Sequence, residues 1–355
     1  MILKNLLGLA MVAGAMQAVA IDVDENANVS HATTTVLGIN HIGLSVSNLD
    51  RMLDFYLKST GFELLSRRKI SHNPDADKLF GQENVALEVA VIKAPNMLLE
   101  LIEFEHNENT DVARMPAKGP GMTHTCFQSP SSEPGWDKFM KAGASPLSRG
   151  GAPVDLGGYG VTYGYAYDPE GNMIELEQLD GAILERAGYD PAWQDLGLSM
   201  WMSQVALATP NLERLMGFYQ KVLGFQPYRV AELKDNVRAD EIADIDNLHL
   251  LGGWFKMNST SKVMEFWQYV NPTTPETGEP RNVTGLGYTF SIEVADIQRE
   301  YERLTKLGVA FTSAPVKLGE FWQVYANDVD GNVFALRQAI DPESALSVKK
   351  LDADT

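Results

Sequence analysis

The sequence predicts an α+β fold made of four βαβββ modules. Three observations carry that reading. The stretch "NHIGLSVSNLDRMLDFY" (residues 40–56) returns as "SQVALATPNLERLMGFY" (residues 203–219) with the same apolar spacing and the same Phe-Tyr ending. Each copy passes from a period of two, expected of a strand, to the 3.6 period of an amphipathic helix. Two turns, Asp168-Pro-Glu-Gly and Asp328-Val-Asp-Gly, introduce matching apolar runs half a chain apart; Asp at the first position and Gly at the last suit a type I turn.

Module one covers residues 37–120. In "INHIGLSV" (39–46) Ile42, Leu44 and Val46 share one face, and His41, Gly43 and Ser45 the other. Ser47 or Asn48 can cap the helix that follows, whose Leu49, Met52, Leu53 and Tyr56 recur at helical spacing, and Gly61 ends it. Strand-like runs follow at 62–66, 86–93 and 97–104. Module two (121–182) opens with "GMTHTCFQ", has a helix around Trp136–Lys141 and closes with "YGYAYDPEGNMIELEQL". Module three (201–284) opens with "MSQVALAT" and closes with "VMEFWQYV". Module four (285–341) opens with "LGYTFSIEV", continues through "IQREYERLTKLG" and closes with "FWQVYANDVDGNVFALRQ". The repeat predicts that modules one and two form one domain (37–182) and modules three and four another (201–341), joined by a connector at 183–200 and followed by a loose acidic tail at 342–355.

Residues 1–20, with Lys4, an apolar run from Leu6 and the ending Ala18-Val19-Ala20, have the pattern of a cleaved secretory signal, and 21–36 read as a flexible linker. The expected location is therefore periplasmic or secreted. The net charge of −18 repels phosphate backbones and anionic lipid, so neither nucleic acid nor a membrane is expected as a partner. Cys126 is the only cysteine, which excludes an intrachain disulfide.

The four module openings and the "DPEGNMIELEQ" ending resemble the vicinal oxygen chelate superfamily, which includes glyoxalase I, bleomycin-resistance proteins and extradiol dioxygenases. The resemblance covers nearly all of residues 37–340. It implies that paired modules curl their mixed sheets into cups whose inward strand positions hold a divalent metal. Carried over position by position, it picks His41, Glu100, His124 and Glu175 as ligands, suited to Zn, Ni, Co, Mn or Fe(II). The same positions in the second half are Gln204 (204 − 41 = 163), Glu265 (265 − 100 = 165), Tyr288 (288 − 124 = 164) and Ala335 (335 − 175 = 160), which implies a metal-free copy.

Four protein ligands leave two positions open on a six-coordinate ion, which suits proton transfer through a metal-bound enediolate better than dioxygen chemistry with its three open positions. The implied activity is an exported glyoxalase-like lyase or isomerase acting on a small carbonyl compound, with Glu175 or Glu100 as base. The alternatives are an Fe(II) extradiol-type dioxygenase on an aromatic diol, and a non-enzymatic protein that binds a small ligand or a metal. Arg67 and Arg68 form a basic cluster that could take an anionic substrate group, and Cys126 shares the face of His124 and could line the cup. Either a monomer or a homodimer is compatible with this reading.

Overall fold

The computed structural model describes residues 34–106, 114–187, 197–257 and 262–351. The expected signal segment lies outside them. Module one contains β1 (Val36–Ser45), α1 (Leu49–Thr60), β2 (Glu63–Ile70), α2 (Pro74–Phe80), β3 (Leu87–Lys93) and β4 (Leu98–Phe104). Module two contains β5 (Gly121–Pro130), α3 (Gly135–Ala142), β6 (Ser145–Pro146), β7 (Val154–Asp155), β8 (Val161–Tyr167) and β9 (Met173–Leu179), and α4 (Gly181–Arg186) follows it. Module three contains β10 (Trp201–Ala208), α5 (Leu212–Leu223), β11 (Arg229–Leu233), α6 (Val237–Ala243), β12 (His249–Lys256) and β13 (Val263–Asn271). Module four contains β14 (Gly287–Val294), α7 (Ile297–Lys306), β15 (Val316–Leu318), β16 (Phe321–Asn327) and β17 (Val333–Ala339), and α8 (Val348–Leu351) ends the described chain.

Local chemistry explains the element boundaries. Asn48, not Ser47, caps α1 by accepting from Arg51 N, and Gly61 closes the helix in the left-handed conformation (φ 70°) that a residue without Cβ adopts at no steric cost. Asn211 and Asp296 cap α5 and α7 in the same way.

The strands form two curled mixed sheets. One has the order β15-β16-β17-β14-β1-β4-β3-β2; the other is β11-β12-β13-β10-β5-β9-β8-β6, with β7 on β8. Module one thus joins module four through the antiparallel β1–β14 seam, and module two joins module three through β5–β10. This corrects the expectation that consecutive modules share a cup: neither 37–182 nor 201–341 closes one alone. Consecutive modules do touch, but back to back. Glu170 of the module-two turn accepts from the Ser47 and Asn48 N–H groups (2.7 and 2.9 Å) at the start of α1, and Tyr56 donates to Asp168 (3.0 Å). Tyr219 and Asp328 (2.9 Å) repeat this between modules three and four.

One apolar cluster, including Tyr56, Phe127, Tyr219, Phe266 and Phe334, runs through the helix-covered faces of both sheets. Two further clusters fill the two concave faces. The tail is docked as far as Leu351, which is fully buried in the one–four cup, while Val348 N donates to Glu293 (2.7 Å). The loose tail expected from 342 is corrected to that extent. Among the described residues no helix is long and apolar enough to cross a membrane.

Candidate metal centre

Strand alternation places one inward side chain from each of four strands at the centre of the two–three cup: His124 on β5, Glu175 on β9, Gln204 on β10 and Glu265 on β13. The registers bring them level. Ala206 faces both His124 and Glu265, and Cys126 faces Glu175. His124 Nε2 lies 3.2 Å from Glu175 Oε2 and 3.6 Å from Glu265 Oε2. The Gln204 amide nitrogen is 3.0 Å from Glu265 Oε2, 3.3 Å from Glu175 Oε1 and 3.3 Å from His124 Nε2. Ligand atoms of His124, Glu175 and Glu265 all fall within 4.8 Å of one another. All four residues are at most 2% exposed, so water does not screen this concentration of charge.

The surroundings orient the donors. Trp254 Nε1 donates to Glu265 Oε1 at 2.8 Å, and Thr123 Oγ1 lies 3.0 Å from His124 Nδ1, leaving Nε2 toward the cup centre. Gly252 makes room for Trp254, because a Cβ there would meet the Trp254 and Trp267 rings at 2.5 and 2.8 Å. Burial alone would lower the His124 pKa, but hydrogen bonds and charge from Glu175 and Glu265 overturn it and lift the imidazole to about 9. Burial pushes Glu175 upward, against the pull of His124. In the metal-free protein a proton on the imidazole thus serves as the cation between two carboxylates. Two carboxylates, one imidazole and one carboxamide, which offers its oxygen after a half-turn of the amide, form a hard-to-borderline set that fits a divalent ion.

The ligand set expected from the sequence is divided between the cups. His124 and Glu175 meet here. His41 and Glu100 sit in the one–four cup, where a metal does not fit: the Arg337 guanidinium binds Glu100 through two hydrogen bonds (2.8 and 3.1 Å) and fills the place of a cation. Burial and then Arg337 drive His41 down to about 3. Glu100, although burial opposes it, is held at about 2 by Arg337 and His41. Ser291 Oγ lies 2.6 Å from His41 Nδ1. The counterpart of His124 in this cup is Thr289, opposite Gly43, not Tyr288, whose hydroxyl donates to Met173 O. Gln204 and Glu265 were visible in the sequence as counterparts of His41 and Glu100. Combining them with His124 and Glu175 required the two–three pairing.

The remaining expectations are also relocated. Arg67 is on β2, at the edge of the other sheet, paired with Asp50 (2.6 Å) and Glu88 (2.7 Å), and Arg68 packs over Gly319. Neither reaches the metal centre. Cys126 does line the two–three cup; its buried thiol donates to Glu177 at 3.6 Å, and burial pushes its pKa well up. Helix α6 covers the cup, with Ala239, Ile242 and Ala243 in the same cluster as Tyr163, Tyr165, Trp267 and Tyr269. All four donors come from one chain, so the site is complete without a second copy.

The family model of the Glyoxalase/Bleomycin resistance protein/Dioxygenase superfamily matches residues 38–176 and 201–336. Glyoxalase I from Zea mays shares the fold with a TM-score of 0.55 and 19% identity, over 89% of this chain and 96% of that one. A Bacillus subtilis protein described only provisionally as a dioxygenase gives 0.54 and 10% over 87% of each. The uncharacterized protein YurT of Bacillus subtilis (strain 168) is 47% identical over 45 residues, which is 13% of this chain and 35% of that protein. This chain therefore spans about a third of that relative's length.

Proposed function

The chain belongs to the Glyoxalase/Bleomycin resistance protein/Dioxygenase superfamily, and from that premise we propose that it is a divalent-metal-dependent enzyme of glyoxalase type, a lyase or isomerase that moves a proton between adjacent carbons of a small carbonyl compound. The observation that carries the reading is the convergence of His124, Glu175, Gln204 and Glu265 in one buried cup. A cation held there would supply Lewis acidity at the carbonyl oxygen and so acidify the neighbouring C–H.

The chain's own residues then divide the work. Glu265 is pinned by the Trp254 indole N–H and would hold the ion in place. Glu175 has no indole anchor; it is hydrogen-bonded to His124, Gln204 and the Cys126 thiol, and it is the carboxylate placed to act as the base that takes the proton. Trp254, Trp267, Tyr163 and Tyr165 exclude water, which strengthens every charge interaction inside the cup. The donor count favours this chemistry over the dioxygenase alternative, which uses one protein ligand fewer.

The test follows Glu175→Gln. On a panel of 2-oxo aldehydes and hydroxycarbonyl compounds, solvent-deuterium exchange at the carbon next to the carbonyl should slow roughly 100- to 10,000-fold while metal content holds. Undiminished exchange at full metal content would remove Glu175 as the base. Binding without exchange across the panel would leave the non-enzymatic reading. Export rests on residues 1–20, and N-terminal sequencing of the protein recovered from cell fractions tests it.

A further inference from the structure

The two cups correspond residue by residue, so each shows what the other has replaced. Helices α2 and α6 are counterparts: Asn73 and Asn236 cap them, and at the same offset (243 − 80 = 163) Phe80 corresponds to Ala243. Both are tethered at the same carbonyl, Leu79 O accepting from Thr312 Oγ1 (3.1 Å) and Ile242 O from Ser148 Oγ (2.7 Å). In the one–four cup the Phe80 ring lies between Phe104, edge-on at 5.1 Å between centroids, and Tyr325 at 5.6 Å, and plugs the cup.

Their counterparts in the other cup are Tyr269, opposite Leu250 as Phe104 is opposite Leu87, and Tyr165, opposite Glu175 as Tyr325 is opposite Ala335. There Ala243 offers a methyl where Phe80 offers a benzyl group. The rings in contact with Tyr165 are His124 (5.0 Å) and Tyr163 (6.1 Å); among the described residues no ring contact joins Tyr165 to Tyr269. Trp254 and Trp267, which stand where the first cup has Val91 and Ile102, lie over Gly252, the counterpart of Val89.

We infer that the space between Tyr165 and Tyr269 is a slot for a planar aromatic ring, and that the substrate is an aryl-substituted α-oxo or α-hydroxy carbonyl compound whose ring lies where Phe80 lies in the other cup. The phenyl ring of this chain's own helix is the template for the slot. Apolar interior voids of phenyl size do take up benzene. The adjacency of Tyr165 to His124 puts a substituent on the ring beside the four donors. The choice of carbonyl compound rests on the metal-dependent reading above; the slot itself does not.

The experiment uses the full chain and two probes. In metal-free protein, benzyl alcohol should raise the melting temperature of wild type and not that of Ala243→Phe. The variant itself should melt no lower than wild type, because the other cup accommodates the same ring. In protein loaded with nickel or zinc, phenylglyoxylate should bind roughly 10- to 100-fold more tightly than pyruvate. Ala243→Phe should erase that preference while metal content and pyruvate affinity hold. A preference that survives in the variant, or a variant that melts far below wild type or fails to fold, overturns the slot. Loss of metal from wild type with the benzyl alcohol shift intact and abolished by Ala243→Phe leaves the slot standing and overturns the metal reading.

Discussion

Glu100 and Glu265 occupy equivalent positions on β4 and β13, and truncating each to Ala should have opposite consequences. Glu100 is the buried partner of Arg337, whose side chain is 5% exposed and spends both terminal nitrogens on this carboxylate. Removing it strands a buried guanidinium, a change that costs roughly 3–5 kcal/mol. For a chain of 355 residues that lowers the melting temperature by about 4–7 °C. Metal content should not change. Glu265→Ala instead removes a ligand; relief of its repulsion with Glu175 is offset by a weaker hold on the His124 proton and an unpaired Trp254 N–H, so metal-free stability should fall by less than in Glu100→Ala. Metal affinity should fall by more than the 10- to 100-fold, approximately, that loss of an outer partner costs. The assay is metal content by mass spectrometry after dialysis, with thermal unfolding in the presence and absence of metal. Adding Arg337→Met to Glu100→Ala should recover much of the lost stability, because the stranded charge is then gone. Metal lost from Glu100→Ala and kept by Glu265→Ala would refute the assignment of the ion to the two–three cup.

Two further outcomes follow from the same geometry. Trp254→Phe keeps the ring but removes the N–H that holds Glu265, and should weaken metal binding by roughly 10- to 100-fold in a competition titration with little change in metal-free melting. The metal-free protein should lose stability between pH 6.5 and about 9. His124 is raised in the folded state, so the folded chain binds this proton more tightly than the unfolded one, and the stabilisation is complete below 6.5 and lost as pH climbs through about 9. The full rise is worth roughly 3 kcal/mol, and the upward shift of Glu175 acts in the same direction from 4.5 onward. Saturating metal should flatten the profile, because the ion replaces the proton; a metal-free melting curve insensitive to pH over this range would contradict the site's electrostatics.

What the sequence revealed and what it hid divide along the range of the interactions involved. The strands and helices of each module were legible because periodicity is local: Ile42, Leu44 and Val46 mark a strand within eight residues, and Leu49, Met52, Leu53 and Tyr56 a helix within eight more. The turns at Asp168 and Asp328 were legible because their chemistry spans four residues. Pairing was not. Every module opens with a strand able to accept an antiparallel neighbour, and nothing within β1 or β5 says whether its partner is the next module or a distant one. The choice is made by helix contacts such as Tyr56 with Asp168, which set consecutive modules back to back and leave β1 to pair with β14. That single non-local fact separates His41 and Glu100 from His124 and Glu175, in two different cups. The plug was closer to hand: alternation puts Arg337 on the same face as Ala335, so a cation beside the missing carboxylate could be read from β17 alone.

The two cups are then one electrostatic problem solved twice. Each inherits Glu on the last strand of its odd-numbered module, and a buried carboxylate requires a compensating positive charge. In the one–four cup the even-numbered module supplies Ala335 in place of a second carboxylate and Arg337 as the cation, so one negative charge meets one positive charge and His41 is left neutral. In the two–three cup the even-numbered module supplies Glu175 and, where the other cup has Arg337 (337 − 177 = 160), a second buried carboxylate, Glu177. Glu175 and Glu265 then share a single imidazole, and their hydrogen bonds and charge lift His124 against its burial, while burial first of all lifts Glu175 and Glu177. A divalent ion held there would balance the charges of Glu175 and Glu265. The plug in one cup and the donor set in the other are two ways this fold balances the same buried glutamate.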